Sequence, residues 1–388
     1  MPRKKILWLC SWYPNKLDHF NGDFIQRHAA AAALYNDIYV IHVAGDASGK
    51  ITGIEKIITH SEGLTEHIVY YKKSSSFPGR LMSHYRWLML SRQAIRQYVA
   101  EHGKPDLVHI HIPVKAGITG LWMKRKYKIP YVLTEHWGIY NDVESANYKR
   151  KSVVFKRYTK KILKEASLFL SVSRYLAEGV NRLVTKKEFE IVPNVVNTEL
   201  FNYKNKVLTS FCFIHVSNMV PLKNAKGILK AFNLLLLQKS NATLVMVGDT
   251  DMAIRNFARE LGLTETHISF RGEIAYSQVA LEMQQSDCLI VFSNIENSPC
   301  VIGEALCCGL PVIATDVGGI PELVNENNSI RVVPKDEEAL AGVMRQMMDN
   351  YAKFDRKKIA EDAQSRFSYP VIGKKIDEIY SRFATGKT

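Results

Sequence analysis

The sequence predicts an α/β protein made of two doubly wound domains, each with a parallel sheet covered by helices on both faces. Short apolar runs alternate with amphipathic stretches along the first half of the chain, which is typical of strands and helices in such sheets. The same alternation restarts after about residue 200, and 388 residues are enough for two domains of ordinary size. We therefore predict an N-terminal domain at 1–198 and a C-terminal domain at 199–366.

Each domain takes its strands from buried apolar runs and its helices from the amphipathic stretches between them. The strands predicted for the first domain are 5–10, 38–43, 67–71, 107–111, 131–134, 168–172 and 189–192, and its helices are 22–35, 79–101, 114–125, 151–165 and 174–183. The strands predicted for the second domain are 211–216, 243–247, 267–270, 288–292 and 311–314, and its helices are 224–238, 251–261, 276–285, 299–308 and 336–348.

The end of the chain has a helical apolar pattern, with Val371, Ile376, Ile379 and Tyr380 on one face. We predict that this C-terminal helix, within 367–388, packs back on the N-terminal domain. In open α/β sheets, ligands bind at the carboxyl ends of the strands, so we expect the two domains to face a cleft that holds a ligand.

The composition is that of a globular protein, and no apolar run approaches the roughly 18 residues of a membrane span. The six cysteines contain no CxxC pair and no zinc-like partnership with histidine, which favours reduced thiols in a cytoplasmic protein. Neither half has GxGxxG after a strand, and there is no Walker A sequence. These absences disfavour nicotinamide dehydrogenases and P-loop enzymes.

The net charge of +14 belongs entirely to the first half of the chain. Residues 1–200 carry 31 Lys/Arg against 17 Asp/Glu, whereas residues 201–388 carry 21 of each. Eight basic residues and no acid lie in 149–164, and cations alternate with aromatic residues between Tyr70 and Arg96. A solvated helix face is the simplest interpretation of such runs. We favour an anionic membrane surface over it, because interleaved rings and cations suit a lipid interface, and we find no nucleic-acid-binding motif.

The segment 292–319 is the most informative part of the sequence. A predicted strand ends before a loop that contains Glu296, and a helix follows, with Ser298 as a typical N-cap and Pro299 at its first position. Gly309 ends this helix before the next strand. Such a helix start is an anion site without any basic side chain, because its first N–H groups point outward and its dipole end is positive.

Two carboxylates flank this helix start. Glu304 lies in the second turn of the helix, beside two strands predicted to be buried. A buried carboxylate is costly unless it accepts hydrogen bonds, and ribose hydroxyls are suitable donors. Glu296 and Glu304 would therefore bracket a bound sugar nucleotide.

Glu296 and Glu304, with seven residues between them, match the E-x7-E signature of the family 4 glycosyltransferases of GT-B fold, which have two Rossmann-like domains. The pattern becomes specific together with Gly309-Leu310-Pro311 and Gly318-Gly319 at the family's spacing. The resemblance extends along nearly the whole chain, through blocks at 21–24, 134–136, 171–173, 192–197 and 271–272.

The resemblance implies roles for individual residues. Glu296 would hold hydroxyls of the donor sugar, Glu304 the ribose, and Lys223 would neutralise the departing diphosphate. His136 would touch the donor sugar, and Gly22 would let backbone approach the phosphates. Taken alone, Lys223 would be interpreted as a surface lysine, and Gly22 could equally be a turn glycine. For His136 we favour a role at the donor over a core or capping histidine. The other donor-binding residues implied by the resemblance are Asn218, Arg271, Asn297, Ser298, Pro299, Cys300 and Val301.

One position departs from the family pattern. The family commonly has Gly-Arg shortly before the diphosphate lysine, whereas this chain has Ser217-Asn218 before Lys223. Asparagine donates hydrogen bonds but supplies no charge, so the phosphate clamp is weaker. Either the helix dipole, Lys223 and another cation suffice, or the site binds donor and turns over poorly.

The resemblance also implies a retaining reaction on a nucleotide-sugar donor, with a UDP- or GDP-sugar favoured. The N-terminal motifs contain no obvious covalent nucleophile, so we expect positioning and electrostatic stabilisation of the diphosphate to dominate catalysis. We expect no cofactor and no metal. Asp249 and Asp251 form an Asp-Thr-Asp sequence, but this position resembles the family's Val-Gly loop more than a metal site.

The leading hypothesis is a glycosyltransferase of polysaccharide or glycolipid assembly that acts on a glycan or a polyprenyl-diphosphate-linked acceptor. We expect it in the cytoplasm, with peripheral attachment to the inner face of the cell membrane as an open alternative. A sugar-nucleotide epimerase of the same architecture is a second reading, which the glycine block after E-x7-E disfavours. A catalytically weak donor-binding subunit or scaffold is the third, motivated by Asn218.

Overall fold

The structure is a computed structural model that describes residues 3–74, 76–205, 210–238, 241–248 and 252–384. The chain divides into two compact units. The N-terminal unit consists of Met1–Val195 with Tyr369–Thr388, and the C-terminal unit of Val196–Ser368. The chain thus leaves its first unit near Val195 and returns to it for the last helix.

The N-terminal unit contains an eight-stranded sheet in the order β3-β4-β2-β1-β5-β6-β7-β8. Every neighbouring pair is parallel except β3 and β4. The strands are β1 Lys5–Cys10, β2 Asp37–Asp46, β3 Ile54–Ser61, β4 Leu64–Lys72, β5 Leu107–His111, β6 Tyr131–Glu135, β7 Leu168–Ser171 and β8 Phe189–Ile191.

Helices cover both faces of this sheet, because alternate residues of its central strands are buried on opposite sides. The helices that follow β1 and the strands β4 to β7 are α1 Asp23–Ala33, α2 Phe77–His102, α3 Ala116–Tyr127, α4 Val153–Glu165 and α5 Arg174–Leu183. The helices α2 to α5 share one apolar core with the sheet. The helix α1 and the C-terminal helix, Tyr369–Phe383, share the other.

The C-terminal unit contains a six-stranded parallel sheet in the order β11-β10-β9-β12-β13-β14. Its strands are β9 Phe211–Val216, β10 Ala242–Val247, β11 Ile268–Gly272, β12 Cys288–Val291, β13 Val312–Thr315 and β14 Ser329–Val332. Its helices are α6 Ala225–Leu236, α7 Met252–Glu260, α8 Tyr276–Gln285, α9 Cys300–Cys307, α10 Glu337–Asp349 and α11 Arg356–Phe367. The predicted class of two doubly wound α/β domains is therefore confirmed.

The sequence interpretation missed β3, β14 and α11. The strand β3 pairs antiparallel at the edge of the sheet, and its isoleucines at 54, 57 and 58 have helical rather than alternating spacing. The strand β14 has four residues and exists because it continues the ladder of β13. These elements depend on a neighbouring strand or helix, which a local pattern does not show.

The six cysteines, Cys10, Cys212, Cys288, Cys300, Cys307 and Cys308, are free thiols. Among the described residues, no helix combines the length and apolar character needed to cross a membrane.

Candidate functional site

Two loops meet at the carboxyl edge of the C-terminal sheet. The strands β9 and β12 are parallel neighbours, so the loops that follow them begin at the same edge. The Asn294 N–H donates to the Leu222 carbonyl oxygen over 2.8 Å, and the Asn294 Nδ2 donates to the Pro221 carbonyl oxygen over 3.3 Å. These bonds join the loop that carries Glu296 to the short 3-10 turn that ends at Lys223.

Lys223 and Glu296 form an ion pair between these loops. The Lys223 Nζ lies 2.6 Å from Glu296 Oε1, and the Ser293 hydroxyl donates to the same oxygen over 2.7 Å. The Glu296 side chain is only 10% exposed, against 27% for Lys223. Two residues far apart in sequence, predicted to hold the sugar and the diphosphate, are thus in direct contact.

A glycine turn fixes the backbone of Glu296 from the other side. The Gly319 N–H donates to the Glu296 carbonyl oxygen over 3.0 Å. Gly318 has φ +58°, and a Cβ added there would lie 1.9 Å from that carbonyl oxygen. Only glycine fits this position, because it needs both left-handed backbone and space for the approaching chain. The glycine pair of the sequence motif therefore positions Glu296.

The helix α9 begins at Cys300, one residue later than predicted. Pro299 keeps the φ of −66° that its ring imposes, but its ψ of 121° is extended, so it is the N-cap residue and has no side-chain cap. The predicted assignment of Ser298 as N-cap was therefore wrong by one residue. Gly309, at φ +72°, follows the helix end as predicted. The predicted donor residues Asn297, Ser298, Pro299, Cys300 and Val301 form the approach to α9 and its first turn.

Glu304 is buried on α9, with 3% of its surface exposed. The Tyr276 hydroxyl, at the start of α8, donates to Glu304 Oε1 over 2.8 Å. Neither Tyr276 nor Ser293 was predicted as a site residue, because each acts through a carboxylate 28 or 3 residues away in sequence. The only sequence signal for either residue was a hydroxyl side chain next to the end of a strand or at the start of a helix.

The loop after β9 contains the position where the family arginine is replaced. Asn218 is exposed, between Ser217 and Met219, and Met219 has φ +50°. Gly248 approaches this loop so closely that a Cβ there would lie 2.1 Å from the Ser217 carbonyl oxygen. The Asp249 and Asp251 of the Asp-Thr-Asp sequence lie outside the described residues.

Arg271, another predicted donor residue, lies on β11 and forms an ion pair with Glu282 of α8, with 2.8 Å between Nε and Oε1. The described residues contain no group of three or more His, Cys, Asp and Glu side chains placed to hold a metal ion.

In the N-terminal unit, His136 belongs to a cluster of buried histidines at the carboxyl edge of the sheet. Its Nε2 lies 3.3 Å from His111 Nδ1 at the end of β5, and its ring lies 5.7 Å from that of His28 on α1. Burial, and next the neighbouring His28 and His109, hold the pKa of His136 well below its ordinary value. The ring is therefore neutral at physiological pH and can exchange hydrogen bonds with a sugar without carrying charge.

Gly22 precedes α1 with φ +74°. A Cβ added there would lie 2.9 Å from the Cβ of Trp12, so glycine is required by the fold itself. This packing accounts for the residue whether or not a phosphate approaches it.

Glu135, next to His136, is fully buried and organises the loop that follows β6. Its Oε1 accepts the N–H groups of His136 and Trp137, each over 2.9 Å, and its Oε2 accepts the Tyr140 hydroxyl over 2.7 Å. Burial raises the pKa of Glu135 to about 7, against the opposing effect of these hydrogen bonds. This carboxyl group is therefore a positioning residue for His136.

The raised pKa predicts a distinctive pH dependence of stability. The folded state holds this proton more tightly than the unfolded chain, so the contribution of Glu135 is complete below pH 4.5 and is lost as the pH rises to about 7. The full difference is about 3 kcal/mol. We expect Glu135→Gln to remove this loss, because glutamine still accepts both N–H groups and can donate to the Tyr140 oxygen.

The free energy of unfolding of wild type and Glu135→Gln should be measured in urea near pH 5 and near pH 8. The buried histidines titrate in both proteins, so the difference between the two in the pH dependence of the free energy of unfolding reports Glu135 alone. An unchanged pH dependence in the variant would contradict the assignment.

Known proteins resemble both units of the chain. The model described as Glycosyltransferase Family 4 matches residues 23–200, and the model described as Glycosyl transferases group 1 matches residues 196–366. TuaC of Bacillus subtilis, provisionally named as a glycosyltransferase of teichuronic acid biosynthesis, is 25% identical over 355 residues, which are 87% of each chain.

Solved structures agree on the fold. A sucrose-phosphate synthase from Thermosynechococcus elongatus superimposes with a TM-score of 0.77 at 19% identity, over 98% of this chain and 99% of the other. Anabaena HepE in complex with UDP superimposes with a TM-score of 0.72 at 20% identity, over 97% and 100%. Together the two family models span residues 23–366, across both doubly wound units, and the chain belongs to the family 4 glycosyltransferases of GT-B fold.

Proposed function

We propose that the chain is a retaining glycosyltransferase that moves a sugar from a nucleotide-sugar donor to a glycan or polyprenyl-diphosphate-linked acceptor. It uses a UDP- or GDP-sugar, needs no metal, and acts in cell-surface polysaccharide or glycolipid assembly at the cytoplasmic face of the membrane. Its family and the teichuronic acid pathway given for TuaC support this placement, and the HepE complex with UDP favours a uridine nucleotide.

The contact between Lys223 and Glu296 carries this proposal. The ammonium and the carboxylate are paired over 2.6 Å. A nucleotide sugar offers a diphosphate to Lys223 and sugar hydroxyls to Glu296, so both groups keep a charged or hydrogen-bonding partner when the donor binds. The start of α9 supports the same ligand, since the dipole of an α-helix favours negative charge at its N-terminus.

Glu304 supplies the nucleoside end of the same site. A buried carboxylate is a suitable acceptor for ribose hydroxyls, and burial makes such bonds stronger than in water. We propose that the carboxylate of Glu296 binds hydroxyls of the donor sugar, and that the neutral His136 has the sugar-contacting role that the family resemblance implies.

For the mechanism we propose retention through positioning and electrostatic stabilisation of the leaving diphosphate. Glu135 is the carboxylate of the histidine motif, and its two oxygens already accept three hydrogen bonds inside the protein. It is therefore unsuited to act as a covalent nucleophile. Lys223 is placed to oppose the negative charge that grows as the sugar departs.

The test is a thermal-shift measurement with UDP-, GDP- and ADP-sugars, with and without magnesium. We expect one nucleotide series to raise the melting temperature without magnesium. Glu304→Ala should weaken donor binding about 10- to 100-fold, because it removes hydrogen bonds to a charged acceptor. The shift is taken relative to each variant's own ligand-free melting temperature.

Glu326→Ala is the matched control, since Glu326 is exposed in the same unit and lies outside the loops and the helix start that form the site. Equal loss of the shift in both variants, or a shift that needs magnesium, would contradict the proposed site or its metal independence.

A catalytically weak donor-binding subunit is the second candidate, and the exposed Asn218 favours it because no cation stands at that position. For a competent enzyme we expect Asn218→Arg to leave the rate of sugar transfer nearly unchanged or to lower it. Steady-state rates with the donor found above measure this. A rise of about tenfold or more, equivalent to one new charge-assisted phosphate contact, would favour the weak-subunit interpretation.

A further inference from the structure

The helix α2 exposes large apolar side chains along one face of its first half. Leu81, Met82, Tyr85 and Met89 are 67%, 65%, 60% and 50% exposed, and their spacing places them on one side of the helix. The same face continues with polar and small residues, Gln93, Arg96 and Ala100. Apolar exposure is thus confined to the end of α2 that follows β4, which distinguishes it from scattered surface residues.

The helix α4 repeats this arrangement. Val153 and Val154 in its first turn are 70% and 64% exposed, and Tyr158 follows one turn later. Beyond Tyr158 the exposed positions are lysines, including Lys160 and Lys161. Apolar exposure is again confined to the start of the helix.

The topology brings these two helix starts to one side of the N-terminal unit. The helices α2, α3 and α4 pack on the same face of the sheet, with α3 in contact with both of the others. Both α2 and α4 follow strands that run parallel to β1, so both helices begin at the carboxyl edge. We call the exposed apolar residues 81, 82, 85, 89, 153, 154 and 158 the apolar edge.

The stretches of chain that contain the apolar edge are strongly basic, although Asp46 lies near Met82 and Asp142 pairs with Lys149 over 2.6 Å. Residues 72–100 contain six Lys/Arg and no Asp or Glu, and residues 149–164 contain eight and none. Several of these cations lie against aromatic rings, with the Arg92 guanidinium carbon 5.3 Å from the Trp122 ring and Lys151 Nζ 4.7 Å from the Trp137 ring. Apolar side chains on the same helices as many cations suit the acyl boundary and the headgroups of an anionic bilayer.

We infer that the apolar edge docks the protein on an anionic lipid bilayer. A second copy of the chain is a poor partner for this surface, because a two-fold interface would place its cations against each other. The biological role of this docking, access to a lipid-linked acceptor, rests on the proposed function. Docking at the carboxyl edge brings the bilayer to the side of the sheet where His136 lies, so a lipid-linked acceptor can reach this unit from the membrane.

The experiment is co-sedimentation of the full chain with vesicles of phosphatidylcholine alone or mixed with phosphatidylglycerol, at low and high salt. We expect binding to the mixed vesicles at low salt and little to the neutral ones. The double variants Leu81→Ser/Met82→Ser and Lys160→Ser/Lys161→Ser should each lower the partition coefficient about tenfold or more. Leu237→Ser is the matched control, because Leu237 is 80% exposed in the C-terminal unit.

The donor thermal shift and the molecular mass in solution are measured on the same proteins. Absence of vesicle binding by a wild-type protein that binds donor overturns the inference and leaves the proposed function standing. Vesicle binding without any donor shift keeps the inference and removes the proposed function. The inference is also overturned if Leu237→Ser lowers the vesicle partition coefficient as much as the double variants do. If Leu81→Ser/Met82→Ser changes the molecular mass in solution but leaves vesicle binding unchanged, the partner of the apolar edge is a second copy of the chain, and the inference is again overturned.

Discussion

Replacing Lys223 with alanine should lower kcat for sugar transfer by about 100- to 1,000-fold, which is the usual effect of removing one preorganised stabiliser of transition-state charge. The ammonium group lies 2.6 Å from Glu296 Oε1, in the loop that leads to the start of α9. The charge on the leaving diphosphate grows as the sugar bond breaks, so kcat should fall more than donor affinity.

Steady-state rates and donor affinity of Lys223→Ala should be compared with those of Lys230→Ala. Lys230 is exposed on the same stretch of chain and pairs with Glu337 over 3.9 Å, away from the site. Melting temperatures of the two variants show whether both are folded. A Lys223→Ala protein with kcat within a few-fold of wild type would remove Lys223 from the catalytic step, and the start of α9 would then have to stabilise the diphosphate without it.

The contact between Lys223 and Glu296 shows how far sequence could predict the site. Each residue follows from a motif, but their contact depends on β9 and β12 being neighbours in the sheet, although 71 residues separate the two strands in sequence. The resemblance implied a donor partner for each residue and could not reveal that the two residues also contact each other. Tyr276 was missed for the same reason, since its hydroxyl reaches Glu304 across 28 residues of sequence, whereas the contact of Ser293 with Glu296 is local and was overlooked.

The histidine cluster illustrates a different limit. His136 was predicted from its motif, whereas His28 and His111 approach it because α1 packs on the sheet and β5 pairs with β6. Sequence gives no register between those strands, so neither the cluster nor the depressed pKa of its members could be predicted. The pattern of buried strands was sufficient for the fold class, because the central strands of each sheet are local apolar runs.

Gly318→Ala tests whether the second motif glycine positions Glu296. The substitution forces alanine into a left-handed conformation and places its Cβ 1.9 Å from the Glu296 carbonyl oxygen, so the backbone of Glu296 must move. We expect about 2–4 kcal/mol of lost stability. We also expect kcat/KM to fall about 100-fold, because a catalytic group displaced by about 1 Å loses its alignment.

Gly262→Ala is the control that separates the strain of a left-handed alanine from the displacement of the Glu296 backbone. Gly262 lies in the same unit with φ +75°, but a Cβ added there meets nothing within 4 Å. This variant should therefore lose only the roughly 1–2 kcal/mol of the left-handed conformation and keep full activity. Urea unfolding and transfer rates on both variants decide the matter. If Gly318→Ala lost no more activity than Gly262→Ala, the turn at 318 would serve folding alone, and Glu296 would have to be held by Ser293 and Lys223.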